Sequence, residues 1–479
     1  MSSILVRSLR LRRSVIVAAA LLSLVSGCRS PEEKAARFAA AYDAAMANND
    51  PWSARLAMQS AVRYEDANPQ YWEALGRAQL ALGDYGAAFG SYLHANELDR
   101  SNVGVLQTLA DLAVMAGQID QSRRYANQVV LLQPGDPAPQ ATLGYIALHE
   151  FKFDDALTRA DTVLTARPGD SNAIVLKARA LAGLGRVADS LTLLKGHVAG
   201  HPKDEAVLKA LGALSGRAGD LAGQEEAQAR LLVLRPRDPV LRLEYARTLY
   251  ARGKRDRAHA LTLDMATKGT HGGQLIDILA LWQKYEPDEQ TLVAVRQLVA
   301  RAGPADRMRY AYFLMLAGAP AEAEALIAPH VALPVTADNA GPLALLAQVR
   351  GALGRDREAL SLLNAVLEFD HSNVLALRAR SDLYLRTGQG RLAVPDAQRL
   401  VAEKPRAADD RVRLARAYRL AGHAQLAENA YRAGLQEIAA DPLIYADLRR
   451  YLAETGRKDE LPDLDQQYVE QKRLASLQQ

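Results

Sequence analysis

Nine histidines and a single cysteine are the residues of this 479-residue chain best suited to chemistry, and their spacing decides what they can do. His94, His149, His259, His271, His330, His371 and His423 stand far apart, and only His197 and His201 lie at i, i+4, where two imidazoles share a helix face. Zinc needs at least a third ligand, and a catalytic zinc an open position as well. Gly200 and Pro202 flank His201, so a helix should end there, and the pair reads as surface histidines at a helix boundary. One cysteine excludes a disulfide framework and any multi-cysteine zinc site. The sequence holds no His-Glu-x-x-His pair, no Gly-x-Ser-x-Gly elbow and no phosphate-cradling Gly-x-x-x-x-Gly-Lys loop. Asp463-Leu464-Asp465 is an isolated acidic pair and reads as solvated helix charge. No catalytic residue, metal or cofactor is expected, and the chain reads as a binding protein, not an enzyme.

The charge balance narrows the partners. The chain has 59 basic and 55 acidic residues, but Arg7, Arg10, Arg12 and Arg13 fall in the stretch before Cys28, which holds no acid. Without them, 55 basic residues face 55 acidic ones, and a global attraction to nucleic acid disappears. Those arginines precede an apolar run, Val15 to Val25, too short for a hydrocarbon core that takes about 20 residues to cross. A basic start, a short apolar run and the small residues Ser26 and Gly27 describe a cleaved export signal. Val25-Ser26-Gly27-Cys28 resembles a bacterial lipobox. That resemblance implies cleavage before Cys28 and lipidation of its thiol and amine, and the only cysteine of the chain stands at that position. Several acyl chains, at about 0.8 kcal/mol per buried CH₂, anchor a protein stably. Arg29, where enterobacterial lipoproteins retained at the inner membrane carry Asp, implies the outer membrane by the same resemblance.

The body of the chain is periodic. Gly83, Gly117, Gly185, Gly219 and Gly253 follow one another at intervals of 34, 68, 34 and 34, and Gly354, Gly388, Gly422 and Gly456 continue at 34. Phe151 fills the one missing position, and Asn49 lies one period before Gly83. Pro134, Pro168, Pro202 and Pro236 keep the same interval, where proline would end a helix. Apolar residues recur at helical spacing between these marks, so each period predicts two helices joined by a glycine turn. Trp72, Leu75, Gly76, Ala88, Tyr92 and Ala95 in one period, and Leu143, Gly144, Ala156 and Pro168 in another, resemble the tetratricopeptide-repeat consensus. The resemblance implies an all-α fold, a right-handed α-solenoid of stacked helical hairpins following a cleaved lipoprotein signal peptide. Few large aromatics are present, so alanine and the aliphatic residues must do the packing. Gly76, Gly144 and Gly212 should let paired helices approach closely.

The register divides the chain into a signal peptide at 1–27, a lipidated tether at 28–34, an N-terminal repeat block at 35–270, degenerate helical repeats at 271–340 and a C-terminal block with a capping helix at 341–479. About 13 hairpins fit between Asn49 and Gly456. In tetratricopeptide repeats the first helix of each hairpin lines the groove, and projecting its inward positions picks out candidate residues. The N-terminal block supplies a mixed set, with Arg77, Tyr145 and Arg179 beside Glu73, Gln107, Asp111 and Asn172. The C-terminal block supplies a basic one, Arg378, Arg413, Arg416, Arg419 and Arg450, with Asp382 among them and Asp409, Asp410 and Asp447 near enough to balance it. Guanidinium forks of this kind bind carboxylates or an anionic polymer. The segment from Cys28 through Pro31-Glu32-Glu33-Lys34-Ala35-Ala36-Arg37 is similar to lipoproteins of the exosortase (PEP-CTERM) system. Together these likenesses imply a periplasm-facing scaffold that holds protein partners of an exopolysaccharide, pilus or secretion machine. Binding of an anionic polysaccharide in the C-terminal groove is the alternative, and an enzyme or enzyme regulator acting on glycan ranks below both.

Overall fold

A computed structural model describes residues 30–268, 272–285 and 288–477. The stretch expected to be a signal peptide, 1–27, and Cys28 lie outside these residues. Within them the chain forms twenty-six α-helices, two short 3₁₀ turns and no strand. It divides at Arg237–Asp238 into two compact units. The first runs from helix Pro31–Ala47 to helix Leu221–Leu234, and the second from Pro239–Ala251 to Leu461–Leu477.

Local chemistry sets each hairpin. Asn68, Asn102, Asp136, Asp170, Asp204 and Asp238 recur at the glycine period, and each side chain accepts a backbone N–H in the first turn of a first helix. Such caps satisfy donors that the helix leaves unpaired. The far end of each first helix closes on a left-handed residue. In the first unit the N–H of Asp50, Asp84, Gln118, Lys152, Arg186 and Asp220 reaches back five residues to a helix carbonyl at 2.8–2.9 Å. The residue before each of these has positive φ: Gly83 at 76°, but also Asn49 at 55° and Phe151 at 59°. Both non-glycine members of the register therefore adopt the conformation that the spacing predicts. Pro134, Pro168, Pro202 and Pro236 each stand two residues past the end of a second helix. The first helix begins at Pro31, ahead of the regular register at 35, because Ser30 caps it by accepting from Glu33 N–H.

Phe151 is the costly member of this series. A β-carbon in the left-handed region costs about 1–2 kcal/mol, which glycine avoids. Phe151→Gly is expected to raise the stability of the first unit by about 1 kcal/mol in urea melts, whereas Asn49→Gly should change it little.

Packing follows the small-residue pattern. Ala54, Ala88, Ala156, Ala258, Ala359, Ala393 and Ala427 are fully buried where the two helices of a hairpin meet. A β-carbon on Gly76 would lie 2.7 Å from the Tyr92 ring and one on Gly144 2.5 Å from Leu176, so close approach demands glycine at both positions. Gly212 differs, since a methyl there would sit at an ordinary 3.6 Å from Ala227. Close packing does not require glycine at that position.

Between residues 272 and 342 the hairpins shorten. Helix Glu289–Val299 has 11 residues, and Pro320–Ile327 has 8 before a 3₁₀ turn and a loop. Large side chains replace alanine here: Trp282 is fully buried, with Leu275, Ile278, Tyr310 and Phe313 also in the core.

Candidate functional site

In both units successive first helices pack on one another far more extensively than successive second helices do. The first-helix layer is the tighter one, and it carries every groove residue predicted from the register.

In the first unit these residues join a polar network between neighbouring hairpins. Arg77 pairs with Glu73 one helical turn away, and Glu73 also accepts from Asn102 of the next hairpin at 3.1 Å. The Gln107 amide donates to Asp111 at 2.9 Å and to Thr142 at 2.8 Å. The Tyr145 hydroxyl donates to the Asn172 carbonyl at 3.0 Å. Burial raises the Tyr145 pKa, with the nearby Arg179 charge opposing it. Arg179 itself is exposed.

In the second unit the arginines expected to form a basic face are tied to carboxylates of adjacent hairpins. Arg378 grips Asp410 through Nε at 2.9 Å and Nη2 at 2.6 Å. Arg413 bridges backward to Asp382 at 2.7 Å and also reaches Asp410. Arg416 holds Asp447 at 3.0 and 2.6 Å, and the Tyr431 hydroxyl donates to the same carboxylate at 2.6 Å. Arg419 donates to Glu454 at 2.9 Å. Arg450 is the loosest member, 63% exposed and 3.6 Å from Asp447. Five arginines thus face four carboxylates, and Asp410 is completely buried between two of them. This near-neutral ladder removes the excess charge that an anionic polymer would need. The acids were visible in the sequence, but their pairing was not. Its signal is a spacing of 31–35 residues between partners, one period give or take a helical turn.

Asp447 in the ladder and Asp465 in the last hairpin are expected to make the second unit acid-sensitive. Burial alone would raise the Asp447 pKa, but Arg416 and Tyr431 outweigh it, and the net shift is downward. Asp465 is lowered by Arg449 and then Tyr445. A folded-state pKa below the unfolded value gives stability that is complete above the unfolded value and is lost as pH falls through the folded one. The urea midpoint of the second unit is expected to hold steady above about pH 5 and to drop progressively below about pH 4.

The remaining candidates are absorbed into structure. The His197 side chain is only 6% exposed, although its boundary position suggested a surface histidine. Its Nε2 lies 2.8 Å from Asp204, the His201 ring stacks on it at 4.4 Å, and Ser171 donates to Asp204 at 2.5 Å. Asp204 is itself a helix cap, accepting from Val207 N–H at 3.1 Å, so the cluster joins two hairpins. Asp465 accepts from Tyr445 at 2.6 Å and Arg449 at 3.1 Å, inside the last hairpin. Among the described residues no three His, Cys, Asp or Glu side chains converge on a metal position. No described helix is long and apolar enough to cross a membrane.

Comparison with known proteins agrees with this architecture. A family profile described as tetratricopeptide repeat matches residues 147–214. The chain is 27% identical over 394 residues to cellulose synthase operon protein C of Xanthomonas axonopodis pv. citri (strain 306). That alignment covers 75% of this chain but 26% of the relative, so the chain spans about a quarter of its relative's length. Among solved structures, a thermophilic tetratricopeptide-repeat protein of Thermus thermophilus aligns over 38% of this chain and 99% of its own, at 21% identity and TM-score 0.36. A Parabacteroides merdae protein aligns over 52% of this chain and 98% of its own, at 18% identity and TM-score 0.40.

Proposed function

We propose that this chain, a tetratricopeptide-repeat protein, is a lipid-anchored, periplasm-facing scaffold that holds partner proteins against its first-helix layer during assembly of an envelope polysaccharide, export or pilus system. It acts by binding and not by catalysis. The observation that carries the reading is the likeness, through three quarters of the chain, to a protein named for a cellulose synthase operon. The first-helix layer supports it physically. Its polar groups bridge neighbouring hairpins, so a partner meets a pre-ordered surface and loses little further entropy on docking.

The anchor rests on Cys28 and the leader before it. Arg29 directs the anchored chain to the outer membrane. Cys28→Ser is the test. The wild-type chain should sediment with membranes and carry the mass of acyl chains on its first residue, whereas the variant should move to the soluble periplasmic fraction or retain its uncleaved leader. A variant that fractionates like wild type, with no acyl mass on either protein, would falsify the anchor.

A further inference from the structure

The hairpin turns of the first unit carry a feature that the groove does not use. All first-to-second-helix turns lie along one edge of a stack of antiparallel hairpins. On this edge the first four hairpins each expose one large apolar side chain: Trp52 is 55% exposed, Tyr85 54%, Met115 67% and Phe151 53%. They lie within three residues of the left-handed positions Asn49, Gly83, Gly117 and Phe151. Trp52 and Tyr85 stand in the first turn of second helices, Met115 ends a first helix and Phe151 is the turn residue itself, so the four mark this edge at successive hairpins.

Two further observations mark the row as more than incidental exposure. Phe151 bears both the strain of φ 59° and the exposure of its ring at a position where nearly every other turn uses glycine. The turn demands a left-handed residue there but not a phenylalanine, and strain retained in this way points toward function. Trp52 is held by the Arg55 guanidinium, 4.1 Å from its ring centroid, and is still 55% exposed.

The polar groups along the edge select the partner. Asn48, Asn49, Asp50, Asp84 and Gln118 are exposed beside the rings. Asp50 and Asp84 each cap a helix through Oδ1. Of the nearby cations, Arg123 and Lys152 pair with Glu150, and Arg55 lies over the Trp52 ring. Aromatic faces flanked by carboxylates and amides suit a ligand with apolar C–H faces and many hydroxyls, and the acids repel anionic polymers.

We propose that the turn edge of the first unit binds a neutral glycan strand through Trp52, Tyr85, Met115 and Phe151. This rests on the reading that the chain serves a polysaccharide assembly, and it names the polymer and the surface. The test is native gel electrophoresis of the full chain, extracted in neutral detergent, through gels containing hydroxyethylcellulose, glucomannan, dextran or alginate. Retardation is expected in at least one of the three neutral polymers and not in alginate. The apparent dissociation constant should rise about tenfold in the Trp52→Ala/Tyr85→Ala variant and in Phe151→Gly. Phe151→Gly guards against a folding artefact, because it should bind less while melting later. The proposal is overturned by no retardation in any neutral polymer, by retardation in alginate alone, or by variants that run like wild type. It is also overturned if photo-crosslinkers at positions 52 and 85 capture a protein segment while the neutral polymers do not bind. A failed glycan assay with intact protein adducts from the first-helix layer would remove this surface and leave the scaffold reading standing.

Discussion

Trp282→Ala is expected to destabilise the second unit by about 4 kcal/mol in urea melts followed by circular dichroism. Trp282 is fully buried, its indole N–H donates to the Thr262 hydroxyl at 2.9 Å, and its ring meets Phe313 edge-on with centroids 6.5 Å apart. It therefore links helices Arg255–Thr267, Gly272–Tyr285 and Pro304–Leu316. Alanine would lose the largest fully buried side chain among the described residues and leave a cavity that three helices cannot close together. The effect should exceed that of Trp72→Ala, whose ring is only partly buried against its cluster. In a repeat array each hairpin contacts mainly its neighbours, so protease sensitivity should appear first around residues 255–316. A loss below about 1 kcal/mol would mean that Trp282 does not hold the shortened hairpins together.

Asp410→Ala should cost the same unit about 3 kcal/mol, because it strands the Arg378 guanidinium and takes from Arg413 the buried one of its two carboxylates. Asp382, 53% exposed at the rim of the same ladder, provides the contrast. Its alanine variant should cost under about 1 kcal/mol, since water and salt replace an exposed partner. A triple change, Asp410→Leu with Arg378→Leu and Arg413→Met, should recover much of the loss, because replacing a buried ion cluster with apolar side chains is often neutral or better. Asp410→Ala also frees Arg378 in the first-helix layer, while Arg413 keeps Asp382. Stronger, salt-sensitive alginate binding than that of the wild type is expected in this variant, observable by titration at two ionic strengths.

The period of 34 made the hairpins legible because each turn demands a left-handed residue, and few residues tolerate one. That demand is strong enough to locate Asn49 and even Phe151, where composition alone would not place a turn. The caps at Asn68, Asn102, Asp136, Asp170, Asp204 and Asp238 follow the same period and could have been found from it. The groove was less legible. A helical projection gives the side that a residue faces but not its partner on the next hairpin, so the acids near Arg378 and Arg416 could be named but not the pairing of each arginine with its own carboxylate. The same limit applies to His197, whose burial comes from Ser171 and Asp204 on neighbouring elements. Gly212 shows the converse, a small residue in register whose neighbours do not need it small. Between 272 and 342 the periodicity fades because Trp282, Tyr310 and Phe313 fill space that alanine contacts fill elsewhere.

The claim that partners dock on the first-helix layer is tested most directly by photo-crosslinking in intact cells. A photoreactive phenylalanine analogue would replace, one at a time, Arg179 and Arg450 on the first helices, and Leu131 and Val233, which are 79% and 80% exposed on second helices. Discrete protein adducts are expected from positions 179 and 450 and none of the same mass from 131 and 233. Equal adducts from all four positions, or adducts from the second helices alone, would contradict it.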